Sequence, residues 1–356
     1  MWPDRRLCDL LKIDHPIIQA PMAGSATPAL ASAVSNMGGL GSLGSAEMTL
    51  QELRHAVTAM RAATNRPFNL NFFVTDAPIT DATVLARTRA RLQPWYSALG
   101  LGAPPETLPD LPPAFGNDQL SVLLDVRPAV VSFHFGVPDA AAITALKAAG
   151  IVLISSATTV AEARALEASG MDAVIAQGLE AGGHRGSHQP MHPGHGVGSL
   201  ALVPQIADAV SCPVIAAGGI GDGRGLAAAF ALGAAGVQIG TAFLSCPEAA
   251  TDPAWRAHLR AAQDTDTMVT NAFSGRPARA LRSRFAEEMA KSAEPLPGFL
   301  QMYTLSGPIE DAAADSEASF HLYGQAASLN REMPAANLMR QLIDETAAVF
   351  AKLSGG

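Results

Sequence analysis

The residues best able to do chemistry sit in glycine-rich segments that each follow a short β-branched run. Ala216-Ala217-Gly218-Gly219-Ile220-Gly221-Asp222-Gly223 ends such a run and opens an Ala-rich helical pattern. Glycines there let backbone N–H groups approach an anion closely, and the dipole of the following helix adds to the attraction. Val237-Gln238-Ile239-Gly240-Thr241 ends the next run and supplies the other half of such a site. Two adjacent glycine-bearing strand ends with Gln and Thr fit a phosphate better than tight turns alone. A flavin nucleotide and a sugar phosphate both remain open at this point.

Histidines supply the second kind of chemistry. His134 ends the apolar run of Ser132-Phe133-His134-Phe135-Gly136. At the C-terminal end of a strand, a neutral imidazole can serve as base, acid or hydrogen-bond donor to an anionic substrate. His184 lies in Gln177-Gly178-Leu179-Glu180-Ala181-Gly182-Gly183-His184-Arg185-Gly186, and His188, His192 and His195 follow it. These four do not read as a metal site. Glycines and prolines between Gly182 and Gly198 prevent a helix from holding a His-x-x-x-His spacing, no cysteine is near, and Glu180 is the one nearby carboxylate. A loop carrying one useful histidine is the expectation, with no metal.

Other features read structurally. Gly39, Gly41 and Gly44 match G-x-G-x-x-G, but a helical pattern precedes them and no second strand with an acidic end follows, so a tight βα turn is expected. The basic cluster Arg276, Arg279, Arg282 and Arg284 can take an anion such as a nicotinamide nucleotide phosphate; bracing the C-terminal segment through backbone carbonyls fits it better. Tyr303 and Tyr323 can face a substrate or fill a lid core.

Positioning these groups falls to a repeated alternation of strand and helix. Strands are expected at 15–20, 39–42, 68–74, 130–134, 151–155, 173–177, 214–217 and 236–239, with helices between them, the first capped by Thr27 with Pro28 at its first position. Near-continuous apolar strands linked by helices imply a parallel sheet buried on both faces. Eight βα units in this length predict an α/β fold, a (β/α)8 TIM barrel over residues 1–247. An insertion at about 76–128 decorates it after the third strand. Residues 248–356 are expected to be mostly helical and to pack as a lid over the barrel mouth.

Composition limits the remaining choices. With Lys+Arg 24 against Asp+Glu 32, the net charge of −8 gives no electrostatic reason to expect nucleic acid or an anionic membrane as partner. Hydrophobic residues at 48% provide a sizeable core and exclude a disordered chain. Cys8, Cys212 and Cys246 are widely spaced and form no C-x-x-C, as expected of free thiols in a reducing cytoplasm. Asp9, Lys12 and Asp14 interrupt any apolar stretch behind Arg5-Arg6, so no export signal is read there. The uncharged stretch from Gly225 to Pro247 reads as a buried helix followed by a buried strand.

These motifs converge on one family. Pro21-Met22-Ala23-Gly24, Asn69-Leu70-Asn71, the His134 segment, the Gln177 to Gly186 segment, Gly218-Gly219-Ile220 and Val237 to Thr241 resemble nitronate monooxygenases, formerly called 2-nitropropane dioxygenases. The His134 segment resembles their bacterial class I branch. The resemblance implies non-covalent FMN. Backbone at Met22, Ala23 and Gly24 and the side chains of Asn71 and Gln177 would touch the isoalloxazine ring. Gly182, Gly183, Gly218, Gly219, Gln238, Ile239, Gly240 and Thr241 would hold the ribityl chain and phosphate.

The implied reaction is oxidation of an alkyl nitronate, such as propionate-3-nitronate, by O2 to a carbonyl compound and nitrite through a flavin semiquinone. His134 would bind and polarise the nitronate, and His184 would belong to the flavin environment. A tyrosine-lined substrate pocket would rest on Tyr303, Tyr323 and Tyr96. The protein would act as a monomer or homodimer. An FMN-dependent NAD(P)H:quinone or enoyl-thioester reductase on the same barrel is the alternative, and a non-enzymatic flavin module a third reading.

Overall fold

A computed structural model describes all residues except Met1, Thr80, Asp110, Pro112, Pro113, Pro190, Met191 and Gly356. Parts of the expected insertion and of the histidine loop therefore lie outside the described residues. Strands β1 (Ile17–Gln19), β2 (Gly41–Gly44), β3 (Phe68–Phe73), β4 (Val130–His134), β5 (Val152–Ala157), β6 (Ala173–Gln177), β7 (Gly183–His184), β8 (Val214–Ala217), β9 (Gly236–Ile239), β10 (Thr267–Thr270) and β11 (Ala278–Leu281) follow one another along the chain. Eight of them form one parallel sheet in the order β1-β9-β8-β6-β5-β4-β3-β2. A parallel bridge between Ile18 and Leu40 closes β1 onto the β2 side, with Gln19 N–H donating to the Leu40 carbonyl at 3.0 Å. The result is the expected barrel.

Local sequence explains the helices between the strands. The Thr27 hydroxyl accepts from Leu30 N–H, with Pro28 opening the helix Pro28–Asn36. Thr49 with Glu52 and Thr159 with Glu162 form reciprocal capping boxes on the helices Leu50–Ala63 and Val160–Ala168. Alternation along the strands divides the core in two. Leu43, Leu70, Val131, Leu153, Val174 and Val237 pack outward against helices. Ile18, Leu40, Val130, Ile154 and Ile215 form a separate cluster with Leu7, Cys8 and Leu11 of the N-terminal helix, which closes the base of the barrel.

The G-x-G-x-x-G match serves packing. A Cβ at Gly41 would lie 1.9 Å from the Ala31 carbonyl oxygen, so only glycine lets the helix Pro28–Asn36 approach β2 this closely. Gly41→Ala is expected to lower stability by about 3 kcal/mol, read as a shift in the urea midpoint with unchanged slope. The uncharged stretch resolves into the helix Gly223–Ala231 and β9, and no described helix is long and apolar enough to cross a membrane.

The C-terminal region differs from a helical lid in two ways. β10 and β11 pair antiparallel, and β11 pairs in turn with β7, so Ala278 faces His184 and Arg279 faces Gly183. Here tertiary pairing with the Gly182–His184 loop overrides a segment that looks helical in isolation. The helix Ala335–Leu353 does not cover the mouth. It packs against the helices Gly223–Ala231 and Pro28–Asn36, burying Leu338, Met339 and Leu342 in the barrel's outer core. That is the position of the helix that follows the eighth strand and completes the ring. What lies over the mouth is a joint cap, where Leu92, Trp95 and Tyr96 of the insertion pack with Phe273, Phe285, Leu305 and Ile309. The Tyr96 hydroxyl donates to the Leu305 carbonyl at 2.8 Å, which seals the two parts of the cap together.

Candidate active site

A cavity of about 290 Å3 opens at the C-terminal ends of the strands, beneath the cap. Met22, Ala23, Asn71, His134, Gln177, Gly182, Gly183 and His184 line it, as do Gly218, Gly219, Gln238, Ile239, Gly240, Thr241 and Tyr303. The barrel thus gathers loops distant in sequence to one point, as strand polarity requires.

The two imidazoles have different hydrogen-bonding situations. His134 Nε2 lies 3.1 Å from the His184 carbonyl, which can only accept, so Nε2 carries the proton. His134 Nδ1 then accepts from the Ser156 hydroxyl at 2.9 Å. Both its ring nitrogens are therefore committed. His184 Nε2 lies 2.9 Å from Ser274 Oγ, whose hydroxyl donates to the Arg276 carbonyl at 3.0 Å. Nε2 of His184 is thereby the donor, and Nδ1 keeps a lone pair with no partner among the described residues. The backbone around His184 is fixed by the Gln177 amide, which donates to the His184 carbonyl at 3.0 Å and accepts from Gly186 N–H at 2.7 Å. Arg185, 1% exposed, donates to the carbonyls of Gln177 and Gly178 and closes the loop from below.

Electrostatics keep both rings neutral. Burial pushes His134 down to about 3, and the cations of Arg276 and Arg185 oppose a further charge, against the hydrogen bond to His184. Burial likewise pushes His184 down to about 3, with repulsion from His134 and Arg276. Each ring gains its folded-state stabilisation only while unprotonated, so that contribution is complete above pH 6.5 and is lost as pH falls towards 3. Stability is expected to drop by roughly 2 kcal/mol per pH unit below pH ~6. Thermal melts of the wild type and of a His134→Gln, His184→Asn double variant check this, and the variant's melting temperature should fall less on acidification.

Glycine geometry shapes the other end. Gly218 (φ 105°) and Gly219 (φ 74°) are both in the left-handed region, and a Cβ on Gly219 would meet nothing closer than Glu180 Cβ at 3.5 Å. Conformation, not crowding, calls for glycine there. Gly182 is crowded instead: its Cβ would lie 2.5 Å from Gly324 N, because the segment around Gly324 crosses directly over it. Gly324 N–H donates to Thr241 Oγ1 at 2.9 Å, leaving the threonine hydroxyl proton free to donate. Gln238 Oε1 is buried with no partner among the described residues, an acceptor that could take a donor from a ligand. Among the described residues, no Lys or Arg side chain lines the cavity.

The family model for nitronate monooxygenase matches residues 4–345. The chain belongs to the nitronate monooxygenase family. It is 45% identical over 344 residues to a nitronate monooxygenase of Paraburkholderia phytofirmans, covering 95% of this chain and 94% of that one. A nitroalkane oxidase from Streptomyces ansochromogenes superposes with a TM-score of 0.89 at 38% identity, covering 98% of this chain and 99% of the other. FabK from Thermotoga maritima superposes with a TM-score of 0.77 at 33% identity, covering 100% and 99%. As a member of this flavoenzyme family the protein is an oxidoreductase that acts on a small molecule.

Within this nitronate monooxygenase barrel, two residues expected at the site stand away from the wall. Gly24 (φ 72°) is exposed on the turn that leaves the cavity after Ala23. Tyr323 is fully buried among Leu244, Leu259 and Ala327, because Gly182 packs on its backbone and its ring lies on the far side of that segment. Burial pushes its phenol up to about 12. Tyr303 does face the cavity, and its phenol is raised by burial and by the nearby charges of Glu47 and Glu310. The arginine cluster braces: Arg279 donates to the Leu179 carbonyl at 2.9 Å, Arg276 to the Ser187 carbonyl, and Arg284 pairs with Glu317 at 2.9 Å. His188 turns to the Ser156 carbonyl, and among the described residues no group of three metal-ligating side chains is gathered.

Sequence reading missed Glu47, Ser156 and Ser274. The first two follow the ends of β2 or close β5 at the catalytic face, so strand polarity was the available signal. Ser274 comes from the cap and carried none.

Proposed function

We propose that this protein oxidises alkyl nitronates with O2 to a carbonyl compound and nitrite, using FMN held non-covalently in the cavity. The residues present fit that group. With no cationic side chain on the wall, a phosphate would be held by backbone N–H groups near Gly219 and Gly240 and by the Thr241 hydroxyl. The unpartnered Gln238 Oε1 would accept from a ribityl hydroxyl, and Asn71 and Gln177, which also line the cavity, would meet the ring. Bound there, FMN supplies the one-electron exchange between nitronate and O2.

The observation that carries this reading is His184 Nδ1, a free lone pair on an imidazole held neutral inside a glycine-walled cavity. An anionic nitronate against that nitrogen favours its protonation, so His184 takes up a proton at Nδ1 and pairs with the nitronate oxygen. This exchanges the roles that the family resemblance implies: His134, expected on the nitronate, has both ring nitrogens committed and would fix the His184 backbone instead. A nitronate is already a carbanion equivalent, so this site needs no strong base. In this reading the barrel carries the flavin, the cap of 76–128 and 248–334 shapes the substrate end, and the protein works as a monomer or homodimer in the cytoplasm.

The likeness to FabK favours one second reading, an FMN-dependent NAD(P)H:quinone or enoyl-thioester reductase. The committed arginines and the cation-free wall offer nothing to a nicotinamide phosphate, which weighs against it. Heat extraction of the purified protein tests the cofactor, with one FMN per chain expected. Oxygen uptake with ethylnitronate tests the reaction, with matching nitrite formation expected; protein without flavin, or oxygen uptake without nitrite, contradicts the reading.

A further inference from the structure

Next to the active-site cavity lies a second chamber, of about 610 Å3. Phe135 and Phe299 line it and also lie against His184, with ring centroids 6.0 and 5.2 Å from that imidazole. The two rings are 5.1 Å apart and stand as a partition between chamber and active-site cavity. Backbone strain marks both sides of it. Phe135 (φ 76°) and Leu300 (φ 68°), beside Phe299, are left-handed without being glycine; Lys12 and Arg127, which share that conformation, are helix C-caps.

Arg276 brings a charge to this chamber. It is 9% exposed and lines the chamber but not the active-site cavity, so the open part of it faces the chamber. Its guanidinium lies 3.9 Å over the Phe135 ring. Bracing the Ser187 carbonyl uses Nη2 alone; Nε is buried with no partner, and Nη1 makes no hydrogen bond among the described residues. Nor does any described carboxylate pair with it. Glu162, whose charge acts on it, is already taken by the N–H groups of Thr158, Thr159 and His188. A buried cation without a counter-ion is costly, and burial pushes this guanidinium down to about 10. The helix Asn117–Val126 opens on the same chamber, and Gly116 at its N-cap supplies no side-chain acceptor. Two acids on the lining, Asp76 and Asp139, are exposed, and Asp139 is occupied in capping Ala142 N–H.

We infer that this chamber is an anion site separate from the active-site cavity, where the Arg276 guanidinium receives a small oxyanion of single charge, a carboxylate or nitrite. The ion supplies the missing counter-charge and accepts from the open Nη1, a charge-assisted hydrogen bond. A second negative charge on it would meet Asp76 and Asp139, which limits the ligand to one. Held behind Phe135 and Phe299, the ion does not compete with a molecule at His184. The inference goes beyond the nitronate reading, which it needs only as one source of nitrite.

Calorimetric titration of the purified protein with sodium propionate and with sodium nitrite, at constant ionic strength in chloride, tests this. One site per chain is expected, with a Kd of about 1 mM for the better of the two ions, and the better one identifies the source. Arg276→Met should weaken that binding at least tenfold. Asn117, exposed on the chamber lining, tests the place without touching Arg276: Asn117→Lys should tighten binding roughly threefold, and Asn117→Glu should weaken it by as much. Binding of neither ion by the wild type, or binding unchanged by Arg276→Met, overturns the inference. Should Arg276→Met fail to fold, equal affinity in the two Asn117 variants overturns it instead. These titrations involve no turnover, so a protein that binds the ion but oxidises no nitronate would contradict the proposed reaction and leave the site standing.

Discussion

His184→Ala is expected to lower kcat/KM for ethylnitronate by about 10²- to 10³-fold while FMN stays bound. The size follows from what the ring contributes. Its Nδ1 is the free ring nitrogen of the two wall imidazoles, and it alone can take a proton and face the anion without first breaking a hydrogen bond. Flavin retention should survive, because in the proposed reading the phosphate would rest on the glycine loops and Thr241 rather than on either imidazole. His134→Ala should cost less, about tenfold, since in the proposed reading His134 would act by holding the His184 carbonyl. Ser274→Ala separates positioning from chemistry: it frees His184 Nε2 and lets the tautomer reverse, so kcat should fall with little change in flavin content. Steady-state kinetics on the three variants check the order. A His134→Ala loss larger than that of His184→Ala would exchange their roles.

Gly219→Asp is expected to yield folded protein with less than a tenth of the wild-type flavin. Gly219 has a φ of 74°, a conformation that Asp tolerates at a cost of roughly 1 kcal/mol. Space is not limiting, as the closest atom to a Cβ is Glu180 Cβ at 3.5 Å. The loss therefore comes from charge, a carboxylate beside Glu180 at a site where backbone N–H groups would otherwise meet a dianionic phosphate. Gly219→Asn supplies the control, with the same shape and strain but no charge. Flavin content measured by absorbance should be intermediate in Asn and near zero in Asp, with melting temperatures of the flavin-free forms within a few degrees of one another. Full flavin content in the Asp variant would show that the phosphate lies elsewhere.

Much of the barrel was legible because its strands are buried on both faces. Runs such as Val130-Val131-Ser132-Phe133 and Ala173-Val174-Ile175-Ala176 have no polar alternation and stand between capped helices, a pattern that few folds produce. Glycine-bearing strand ends located the cavity for the same reason, since strand polarity fixes which loops meet. The cap was less legible. β10 and β11 exist through pairing with each other and with β7, which no local pattern encodes, and the final helix Ala335–Leu353 reads as one more amphipathic helix until the gap it fills is known. Side-chain direction was the other gap. Tyr323 and Gly324 are adjacent, yet Gly324 lines the cavity and Tyr323 turns into a cluster behind it. Glu47 carried no motif at all, only a place after a strand end.

The most direct test of the central claim is anaerobic mixing of the purified yellow protein with ethylnitronate, and separately with NADPH, while the flavin absorbance is followed. Rapid partial bleaching by the nitronate is expected, with recovery of the spectrum and nitrite release on admitting O2, and no bleaching by NADPH. Fast, complete bleaching by NADPH together with indifference to the nitronate would contradict it and establish the reductase reading instead.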